Sequence, residues 1–564
     1  MSNPAPPHST IVQMLHHAST TRPDAIAIAE PTKRFDAQSQ RIYRTVTFAQ
    51  LSADCRTIAT GLVAAGVRPG MRLALMVPPS IDFITLVFAL LESGAVQILI
   101  DPGMRGRNLL RSLQDAEPEG FVGIPKAQML RRLFRHRFPK AKLNVTVGRS
   151  VWPGGKSLDQ IRSLGAGDVA LPQLQPTDSA AIIFTTGSTG PSKGVHYHHR
   201  NFAWQAVQIQ ERYNIQAGEI DVPCFPLFGL FNAAMGVTTV IPRMNASRPA
   251  KANPANIVEA ITQWQATQSF ASPAVWDKVG PYCQEKAITL PTLRRVLSAG
   301  APVPARVLSA MTNCLLPEAE MHTPYGATEA LPVSTITASE VLQETWPATE
   351  KGRGVCVGKR FSGIEWRVIQ IVDGPIKSID DSVPLPAGDI GELIVRGPVV
   401  TTEYVTRREA NATAKIADSS AGGAVWHRMG DCGYLDEQDR FWFCGRVAHR
   451  VVTAERAMYT IPCEAIFNTH RRVRRSALVA VQVKGVISPA IVIEPKKGEF
   501  PYSGDSHVSF YRELLLLAAR HEHTRGIQYF LFRRHLPVDI RHNAKIFREK
   551  LAVWATRQLR ATIE

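Results

Sequence analysis

The stretch IIFTTGSTGPSKG, residues 182–194, decides how the chain is interpreted, because an apolar run passes there into a loop of small and hydroxyl-bearing residues. Residues 181–184 predict a buried strand. Small residues let backbone N–H groups approach phosphate oxygens, and Lys193 adds a positive charge. Neutral donors come from four hydroxyl side chains, Thr185, Thr186, Ser188 and Thr189. The stretch therefore predicts a phosphate-binding loop that follows a strand.

Other interpretations of this loop fit less well. It is not a Walker A loop, because Lys193 is followed by Gly194 instead of serine or threonine. Residues 190–194 match the G-x-S-x-G elbow of α/β-hydrolases, but that elbow needs a strand directly before it, and the predicted strand ends six residues too early. The nearby histidines 196, 198 and 199 lack a carboxylate or cysteine at ligand spacing, which favours polar loop contacts over a metal site.

Helical and strand-like segments alternate on both sides of the loop. Helices are predicted at 46–65 and 81–93, and strands at 72–77 and 95–100. The alternation continues to about residue 330, with further strands at 267–271 and 295–297. It predicts an α/β class fold whose large N-terminal domain is built from parallel-sheet α/β subdomains.

The pattern of predicted secondary structure changes after residue 354. Short strand-like runs at 366–372, 392–396 and 441–443 alternate with turn signals, which predicts a small β-rich subdomain. Beyond Arg446 the sequence predicts paired strands and two helices, placed at 477–483, 490–494, 508–521 and 544–559. We therefore expect two domains, 1–446 and 447–564, the second being a small α+β domain.

Composition is typical of a folded protein with an unusual charge. Of the 564 residues 45% are hydrophobic and 20% charged, which excludes wholesale disorder. Eight scattered cysteines without a C-x-x-C pair argue against a disulfide framework and against a cysteine zinc site. The first ten residues have no secretory pattern, and no apolar run is long enough to cross a bilayer. We expect a soluble, cytoplasmic protein.

The net charge of +17 does not by itself identify which class of partner the protein binds. Two basic segments stand out, KAQMLRRLFRHRFPKAK at 126–142 and RRVRR at 471–475. Each is either a solvated face or a surface for anionic lipid or an acidic partner, so membrane contact is at most peripheral. Neither segment belongs to a nucleic-acid-binding module, and we expect no nucleic-acid partner.

TTGSTGPSKG resembles the phosphate loop of the adenylate-forming superfamily, which includes acyl-CoA synthetases, luciferases and peptide-synthetase adenylation domains. Further motifs of that superfamily follow in its order, and the resemblance spans about residues 20–560. They are SAGAP at 298–302, YGATE at 325–329, GELIVRG at 391–397, GD at 430–431 with GR at 445–446, and NAKI at 543–546.

The resemblance implies a first half-reaction in which a carboxylate joins the α-phosphate of ATP, with Mg²⁺, and pyrophosphate leaves. The implied ligands of the β- and γ-phosphates are Thr185, Thr186, Gly187, Ser188, Thr189, Gly190 and Lys193, with Thr185 also counted as catalytic. Glu329 is implied as the Mg²⁺ ligand, a hard oxygen for a hard cation. Thr328 is implied to contact the α-phosphate.

The resemblance also assigns the nucleoside side and the catalytic lysine. Tyr325 is implied to stack on adenine, whose edge is lined by Gly300, Ala301, Pro302, Gly326 and Ala327. Asp431 is implied to accept the ribose hydroxyls, and Arg446 to contact the ribose. Lys545 is implied to bridge the substrate carboxylate and the α-phosphate from a mobile C-terminal domain that closes over the site.

Three departures from the superfamily pattern point to one of its branches. Ala448 replaces the hinge Asp or Lys and residues 453–457 carry no glycine, the P-x-F-H motif reads PLFG at 226–229, and S-G-K reads N-A-K. With the phrases SKGVHYHHRNF and CFPLFGLFN, these departures are similar to the β-lactone synthetases of bacterial long-chain olefin biosynthesis. The resemblance then implies a long-chain 2-alkyl-3-hydroxy acid substrate and an association with other enzymes of that pathway.

In that branch the 3-hydroxyl attacks the acyl-adenylate, AMP leaves and a β-lactone forms. Substrate candidates are His199, together with Phe228 and Gly229 in the wider segment 223–235, and a second candidate segment is 270–276. The base for the hydroxyl stays open between the leaving phosphate and His196, His198 and His199. Two alternatives remain: a fatty acyl-CoA or acyl-AMP ligase, and a nucleotide-binding interaction protein that is catalytically silent.

Overall fold

Two large β-sheets organise the chain between residues 26 and 446, and a smaller sheet follows. The computed structural model describes residues 10–101, 103–104, 106–148, 155–167, 169–184, 192–225, 228–421, 424–538 and 546–563. No disulfide joins any of the eight cysteines, all of which lie in these ranges. No helix in the same ranges has the length and apolar character needed to span a lipid bilayer.

The first sheet has seven strands and is parallel except for its last pair. In spatial order the strands are Lys156–Ser157, Leu143–Thr146, Gly120–Gly123, Arg72–Met76, Val96–Leu99, Ser179–Phe184 and Gly194–His198. The strand predicted before the phosphate loop is confirmed. The segment after the loop is an antiparallel strand and not a helix, so the hydrolase elbow is absent there.

The second sheet has a parallel half and an antiparallel half. The parallel half consists of Glu320–Ala327, Arg295–Ser298, Gln268–Ala271, Ile220–Pro223, Thr238–Val240 and Ile26–Phe35, with Arg41–Thr47 antiparallel at the edge. The antiparallel half consists of Ala330–Thr337, Val355–Arg360, Arg440–Arg446, Val425–Leu435, Gly391–Arg396, Glu365–Ile369 and Lys415–Ala417. The predicted β-rich region is thus rich in strands, and it continues the hydrogen-bonded sheet through the hairpin at 320–337.

Helices cover these sheets. Those of the first 446 residues with seven or more residues are Ile11–Thr21, Phe48–Ala64, Ile81–Glu92, Gly106–Ala116, Pro125–Leu133, Leu158–Leu164, His199–Tyr213, Phe228–Ala234, Pro254–Gln263, Pro273–Glu285 and Ala305–Thr312. The predicted helix at 46–65 begins where Thr47 caps it, accepting a hydrogen bond from the Gln50 backbone N–H. Ile81–Glu92 is apolar on almost every side because it packs against both sheets.

The last 118 residues form a smaller α+β unit. Strands Val473–Val483 and Val486–Pro495 are antiparallel, and Tyr529–Phe532 joins them in parallel. Three helices, Thr460–Asn468, Gly504–Ala519 and Arg548–Ile563, pack around this sheet. The mixed α/β class with a large N-terminal and a smaller C-terminal domain is confirmed, whereas the boundary at 446/447 and the mobility of the small domain stay predictions.

Candidate functional site

A cleft of about 2270 Å³ opens at the carboxyl ends of the parallel strands in the second sheet. The residues that follow three of these strands, Cys224, Ser272 and Ala299, line it. Ligands of open α/β sheets bind at this edge, where the loops leave the strands. Elements of the C-terminal unit, including Glu464 and Arg548, close the other side.

Asp431 is the centre of a three-residue cluster in this cleft. The pairing of strands Val425–Leu435 and Arg440–Arg446 places Asp431 directly opposite Arg446, and the Arg446 Nη1 donates to Asp431 Oδ1 at 2.7 Å. The Tyr325 hydroxyl donates to the other carboxylate oxygen, Oδ2, at 2.5 Å. Asp431 is 4% exposed, so a buried carboxylate is held between a cation and a phenol. Its oxygens retain lone pairs that can accept hydroxyl groups.

Tyr325 lies between that carboxylate and two aromatic rings. Its ring centroid is 6.1 Å from that of Phe441 and 6.5 Å from that of Phe443. Burial and the neighbouring Asp431 raise the pKa of the Tyr325 hydroxyl well above its usual value, so the hydroxyl stays protonated. Residues 300–302 and 326–328 line the same cleft. The structure therefore places the predicted nucleoside residues around one cavity.

A second cluster forms around Glu329. The Tyr404 hydroxyl donates to Glu329 Oε1 at 2.6 Å, and the backbone N–H of Thr401 donates to the Glu329 carbonyl at 2.9 Å. Tyr404 is brought there by backbone hydrogen bonds, since Val405 N–H donates to the Gly194 carbonyl at 3.0 Å. The Lys193 Nζ then lies 4.7 Å from the centre of the Tyr404 ring. Lys193 and Glu329 thus both contact Tyr404, one at its ring and the other at its hydroxyl.

Lys415 adds a third charged group to the Glu329 cluster. Its Nζ donates to the Thr401 carbonyl and lies 5.8 Å from the centre of the Tyr404 ring. Burial lowers the pKa of Lys415 to about 7, and the positive charge of Lys193 acts in the same direction while Glu329 opposes it. Lys415 therefore places a second basic group beside the ring of Tyr404, with its affinity for a proton reduced by burial. Sequence reasoning missed Thr401, Tyr404 and Lys415.

Glu329 suits the magnesium that the resemblance implies. Mg²⁺ in nucleotide sites usually takes one or two carboxylates, substrate phosphates and water instead of a complete protein cage. Among the residues that the structure describes, no three His, Cys, Asp or Glu side chains converge as a full ligand set. A single carboxylate beside Lys193 in an open cleft fits a metal that arrives with the triphosphate.

Part of the predicted site falls outside the described residues. These predictions concern Thr185, Thr186, Gly187, Ser188, Thr189, Gly190 and Lys545, and the side chain of Phe228. The residues that flank them in sequence are informative. Lys193 and Ile546 both line the cleft, and Arg548 donates to both carboxylate oxygens of Glu464 at 2.8 Å. That buried ion pair fixes the start of the last helix to the helix Thr460–Asn468.

The histidines proposed as bases do not line the cleft. His196 contacts Glu403 Oε1 at 3.1 Å and Ser179 Oγ at 2.8 Å. His199 is fully buried, its two ring nitrogens have no hydrogen-bond partner among the described residues, and burial lowers its pKa to about 4. Within the described residues, His427 and His449 are the histidines that face the cleft.

His427 has a defined tautomer. Its Nδ1 lies 3.1 Å from the Ala414 carbonyl, which can only accept, so Nδ1 carries the proton and Nε2 keeps its lone pair. Burial and the nearby Lys415 lower the pKa of His427 well below its usual value. The neutral ring is therefore a hydrogen-bond acceptor at the cleft wall.

Part of the cleft wall is apolar, and we call this part of the lining the apolar arm. The predicted segments supply Phe225, Phe231 and Phe270. The helix His199–Tyr213 supplies three more lining residues, Gln205, Ile209 and Tyr213, which sequence reasoning did not identify. Gly229 is not among the residues that line the cleft, and a Cβ added there would lie 2.9 Å from Ile84 Cδ1 in the core.

The loop after Arg446 is held by hydrogen bonds inside the C-terminal unit to which it belongs. Strands Val451–Val452 and Ala457–Met458 form a hairpin whose turn is closed by the Thr453 N–H donating to the Arg456 carbonyl at 3.0 Å. The Arg456 Nη1 donates to the Glu522 carbonyl at 2.7 Å. Where the superfamily pattern has a flexible glycine loop, this chain has a braced turn.

Comparison with known proteins adds independent findings. A family model described as AMP-binding enzyme matches residues 15–405. The olefin beta-lactone synthetase of Xanthomonas campestris pv. campestris is 43% identical over 97% of this chain and 98% of that protein. The protein of the same name from Stenotrophomonas maltophilia is 42% identical, again over 97% and 98%.

Solved structures share the fold. The amide bond synthetase of Marinactinospora thermotolerans superposes with a TM-score of 0.76 at 20% identity, covering 96% of this chain and 99% of that one. The o-succinylbenzoate coenzyme A synthetase of Bacillus subtilis, solved with ATP and magnesium ion, superposes with a TM-score of 0.72 at 19% identity over 95% and 98%. At these identities the likeness concerns the fold.

Proposed function

Because this chain belongs to the AMP-binding enzyme family, we propose that it activates a long-chain 2-alkyl-3-hydroxy acid as its acyl-adenylate and then closes that adenylate to a β-lactone. The observation that carries the proposal is similarity along almost the whole length to two olefin beta-lactone synthetases. The cleft supports it, because charged nucleotide-side clusters and an apolar arm meet in one cavity.

In the first step a carboxylate oxygen of the acid attacks the α-phosphorus of ATP, and the bond to pyrophosphate breaks. Both reactants are anions, so positive charge must lie where they meet. Lys193 and the loop 185–190 hold the β- and γ-phosphates, Thr328 contacts the α-phosphate, and Lys545 bridges the two reacting groups. Magnesium, when bound at Glu329, supplies further neutralisation of the phosphate charge.

The nucleoside half of ATP is held by the Asp431 cluster. Asp431 accepts hydrogen bonds from the ribose hydroxyls while Arg446 and Tyr325 keep its carboxylate in place. The adenine ring lies against Tyr325 and is flanked by residues 300–302. Holding the nucleoside rigidly fixes the α-phosphate relative to the incoming carboxylate, which lowers the entropic cost of the first step.

In the second step the 3-hydroxyl oxygen attacks the acyl carbon, and the bond between that carbon and AMP breaks. The hydroxyl proton passes to the leaving phosphate or to a base in the cleft. The nucleophile is tethered three bonds away, so no second substrate needs a channel. The turn at 453–456, which carries no glycine and is bonded to Glu522 inside the C-terminal unit, supports the absence of a pantetheine loop.

The decisive test is product analysis. Purified protein receives a 2-alkyl-3-hydroxy acid with MgATP, with and without coenzyme A, and products are identified by mass spectrometry. We expect AMP, pyrophosphate and a lactone in both mixtures. A thioester as the main product would identify the acyl-CoA ligase alternative, and release of no AMP would favour the silent nucleotide-binding protein.

The setting of the reaction is part of the same proposal. We place the protein in the cytoplasm, in association with other enzymes of olefin synthesis, because its product is a strained intermediate that a following enzyme must consume. Salt-sensitive co-sedimentation with those enzymes is expected if the net charge of +17 contributes. A complex that is indifferent to salt would exclude that electrostatic role.

A further inference from the structure

The basic segment 126–142 presents an outward face that nothing in the fold explains. Helix Pro125–Leu133 and the turn after it expose six cationic side chains, Lys126, Arg132, Arg135, Arg137, Lys140 and Lys142. The same face exposes two large apolar side chains one helical turn apart, Leu133 at 70% and Met129 at 53%. The segment contains no acidic residue.

The inner side of this segment is rigidly seated. Ala127, Gln128 and Phe138 are buried, and Gln128 Nε2 donates to the carbonyls of Phe121 and Val145 at 3.2 and 2.9 Å. The Phe138 ring packs edge-on against Phe121, with centroids 5.1 Å apart. The helix therefore holds a fixed outward face, and its exposed leucine and methionine are not the result of a loose element.

Few charges of the segment have a carboxylate partner among the described residues. The one carboxylate paired with it there is Glu117, whose Oε1 lies 3.2 Å from Lys140 Nζ. The other basic segment differs. Arg472 forms ion pairs with Glu499 and Glu513. Arg474 and Arg475 both form ion pairs with Glu494. Two segments that look alike in the sequence thus have opposite surroundings.

The positive charge also extends into a concave site. Lys140 and Lys142 line a second cavity of about 770 Å³, together with Arg68 and Lys156. Its one carboxylate, Glu119, accepts a hydrogen bond from the Arg72 backbone N–H at 3.1 Å. Four cations around one cavity next to the basic helix make a continuous anion-attracting surface.

We propose that the face formed by Lys126, Met129, Arg132, Leu133, Arg135 and Arg137 docks on the surface of an anionic lipid bilayer. A bilayer surface offers a partner for both kinds of side chain in the face. The headgroup phosphates would pair with the cationic side chains, while Met129 and Leu133 would enter the boundary between headgroups and acyl chains. An acidic protein surface would leave Met129 and Leu133 against charged groups. Docking goes beyond the proposed reaction and does not depend on it, although it would place the cleft beside membrane-dissolved acids.

The experiment measures binding of the full chain to vesicles without ATP or acid. Vesicles of phosphatidylcholine alone are compared with vesicles that contain phosphatidylglycerol, at about 0.05 M and about 0.5 M NaCl. We expect binding to the anionic vesicles, weakened by salt. The triple variant Arg132→Glu, Arg135→Glu, Arg137→Glu is expected to lower the partition coefficient about 100-fold.

A control with the same net charge separates the face from overall charge. Lys33→Glu, Lys286→Glu and Lys497→Glu change three exposed, dispersed lysines and are expected to retain most of the binding. Met129→Ser with Leu133→Ser should remove the binding that persists at high salt. Near-ultraviolet circular dichroism and AMP formation with detergent-dissolved acid establish that each variant is folded.

Two results would overturn the proposal. Equal binding of the triple variant and the dispersed control to anionic vesicles would show that the face is not the contact. Equal binding of the unaltered chain to neutral and anionic vesicles, or to neither, would leave an acidic protein as the partner of this face. Either result leaves the proposed lactone synthesis intact, because that reaction is measured separately.

Discussion

The hydroxyl group of Tyr404 contacts the carboxylate of Glu329. Its hydrogen bond to Glu329 at 2.6 Å orients the carboxylate proposed to hold magnesium, and burial beside that carboxylate raises the pKa of Tyr404, so the donor keeps its proton. Groups that orient a metal ligand usually affect metal affinity more than folding. Tyr404 is therefore a positioning residue for Glu329.

We predict that Tyr404→Phe raises the magnesium concentration needed for half-maximal AMP formation about tenfold, the value of one hydrogen bond to a charged group. Titration of activity with magnesium measures this. Tyr434→Phe is the matched control, because that hydroxyl donates to the Arg353 carbonyl at 2.9 Å and does not line the cleft. An unchanged magnesium dependence in Tyr404→Phe would separate Tyr404 from Glu329 function.

Burial of His199 makes the free energy of unfolding depend on pH. Its pKa is about 4 in the folded protein and about 6.5 when unfolded, so the unfolded chain binds a proton first as pH falls. The stability contributed by keeping His199 neutral is complete above pH 6.5 and is lost as pH falls toward 4. At pH 5 the loss is about 2 kcal/mol for this one group.

We expect His199→Gln to flatten the dependence of the unfolding free energy on pH between 7 and 5, measured by urea unfolding. The exposed His136→Gln is the control and should leave the slope unchanged. The slope is the readout, because a buried amide changes stability at every pH. Parallel curves for the unaltered chain and His199→Gln would refute the assignment.

At the scale of elements, the helix His199–Tyr213 joins the phosphate side to the acyl side. It begins directly after the strand that leaves the loop, and its inner face lines the apolar arm through Gln205, Ile209 and Tyr213. In the proposed reaction, this one helix would set the distance between the reacting carboxylate and the wall of the arm.

Substitution of Ile209, which is 5% exposed, tests that wall. The tryptophan side chain is larger than that of isoleucine and would shorten the arm. Ile209→Trp should therefore raise the KM for a long-chain acid about tenfold and change the KM for a short acid little. Glu211→Trp on the solvent side of the same helix is the control. Equal effects on long and short acids would place the acyl chain elsewhere.

Sequence patterns predicted the bounds of helices and strands well, but they did not predict contacts between distant segments. The helix predicted at 46–65 is Phe48–Ala64, and the strand at 72–77 is Arg72–Met76, because periodicity and capping are local properties. Tyr404 and Lys415 reach Glu329 only through pairing between segments far apart in the chain, which no local pattern encodes. For the same reason the ion pairs of Arg474 and Arg475 with Glu494 could not be distinguished from a free basic face.

At the scale of the whole molecule, the proposed reaction uses residues from both domains. The large domain carries the Asp431 and Glu329 clusters, while Lys545 lies in the small one, three residues before Arg548. The Arg548–Glu464 ion pair holds the start of the last helix at the cleft. Nucleotide binding and adenylate formation should therefore be separable by mutation.

We predict that Lys545→Ala binds ATP within about twofold of the unaltered chain but forms adenylate at least about 100-fold more slowly, because a preorganised charge at the reacting centre contributes that much to catalysis. Equilibrium binding of a fluorescent ATP analogue and release of pyrophosphate measure the two quantities. Lys550→Ala, exposed on the following helix, controls for loss of charge in the small domain. Pyrophosphate release at the unaltered rate from Lys545→Ala would show that the small domain does not supply the catalytic cation, and the reacting charge would then have to come from Lys193 and the cluster around Glu329.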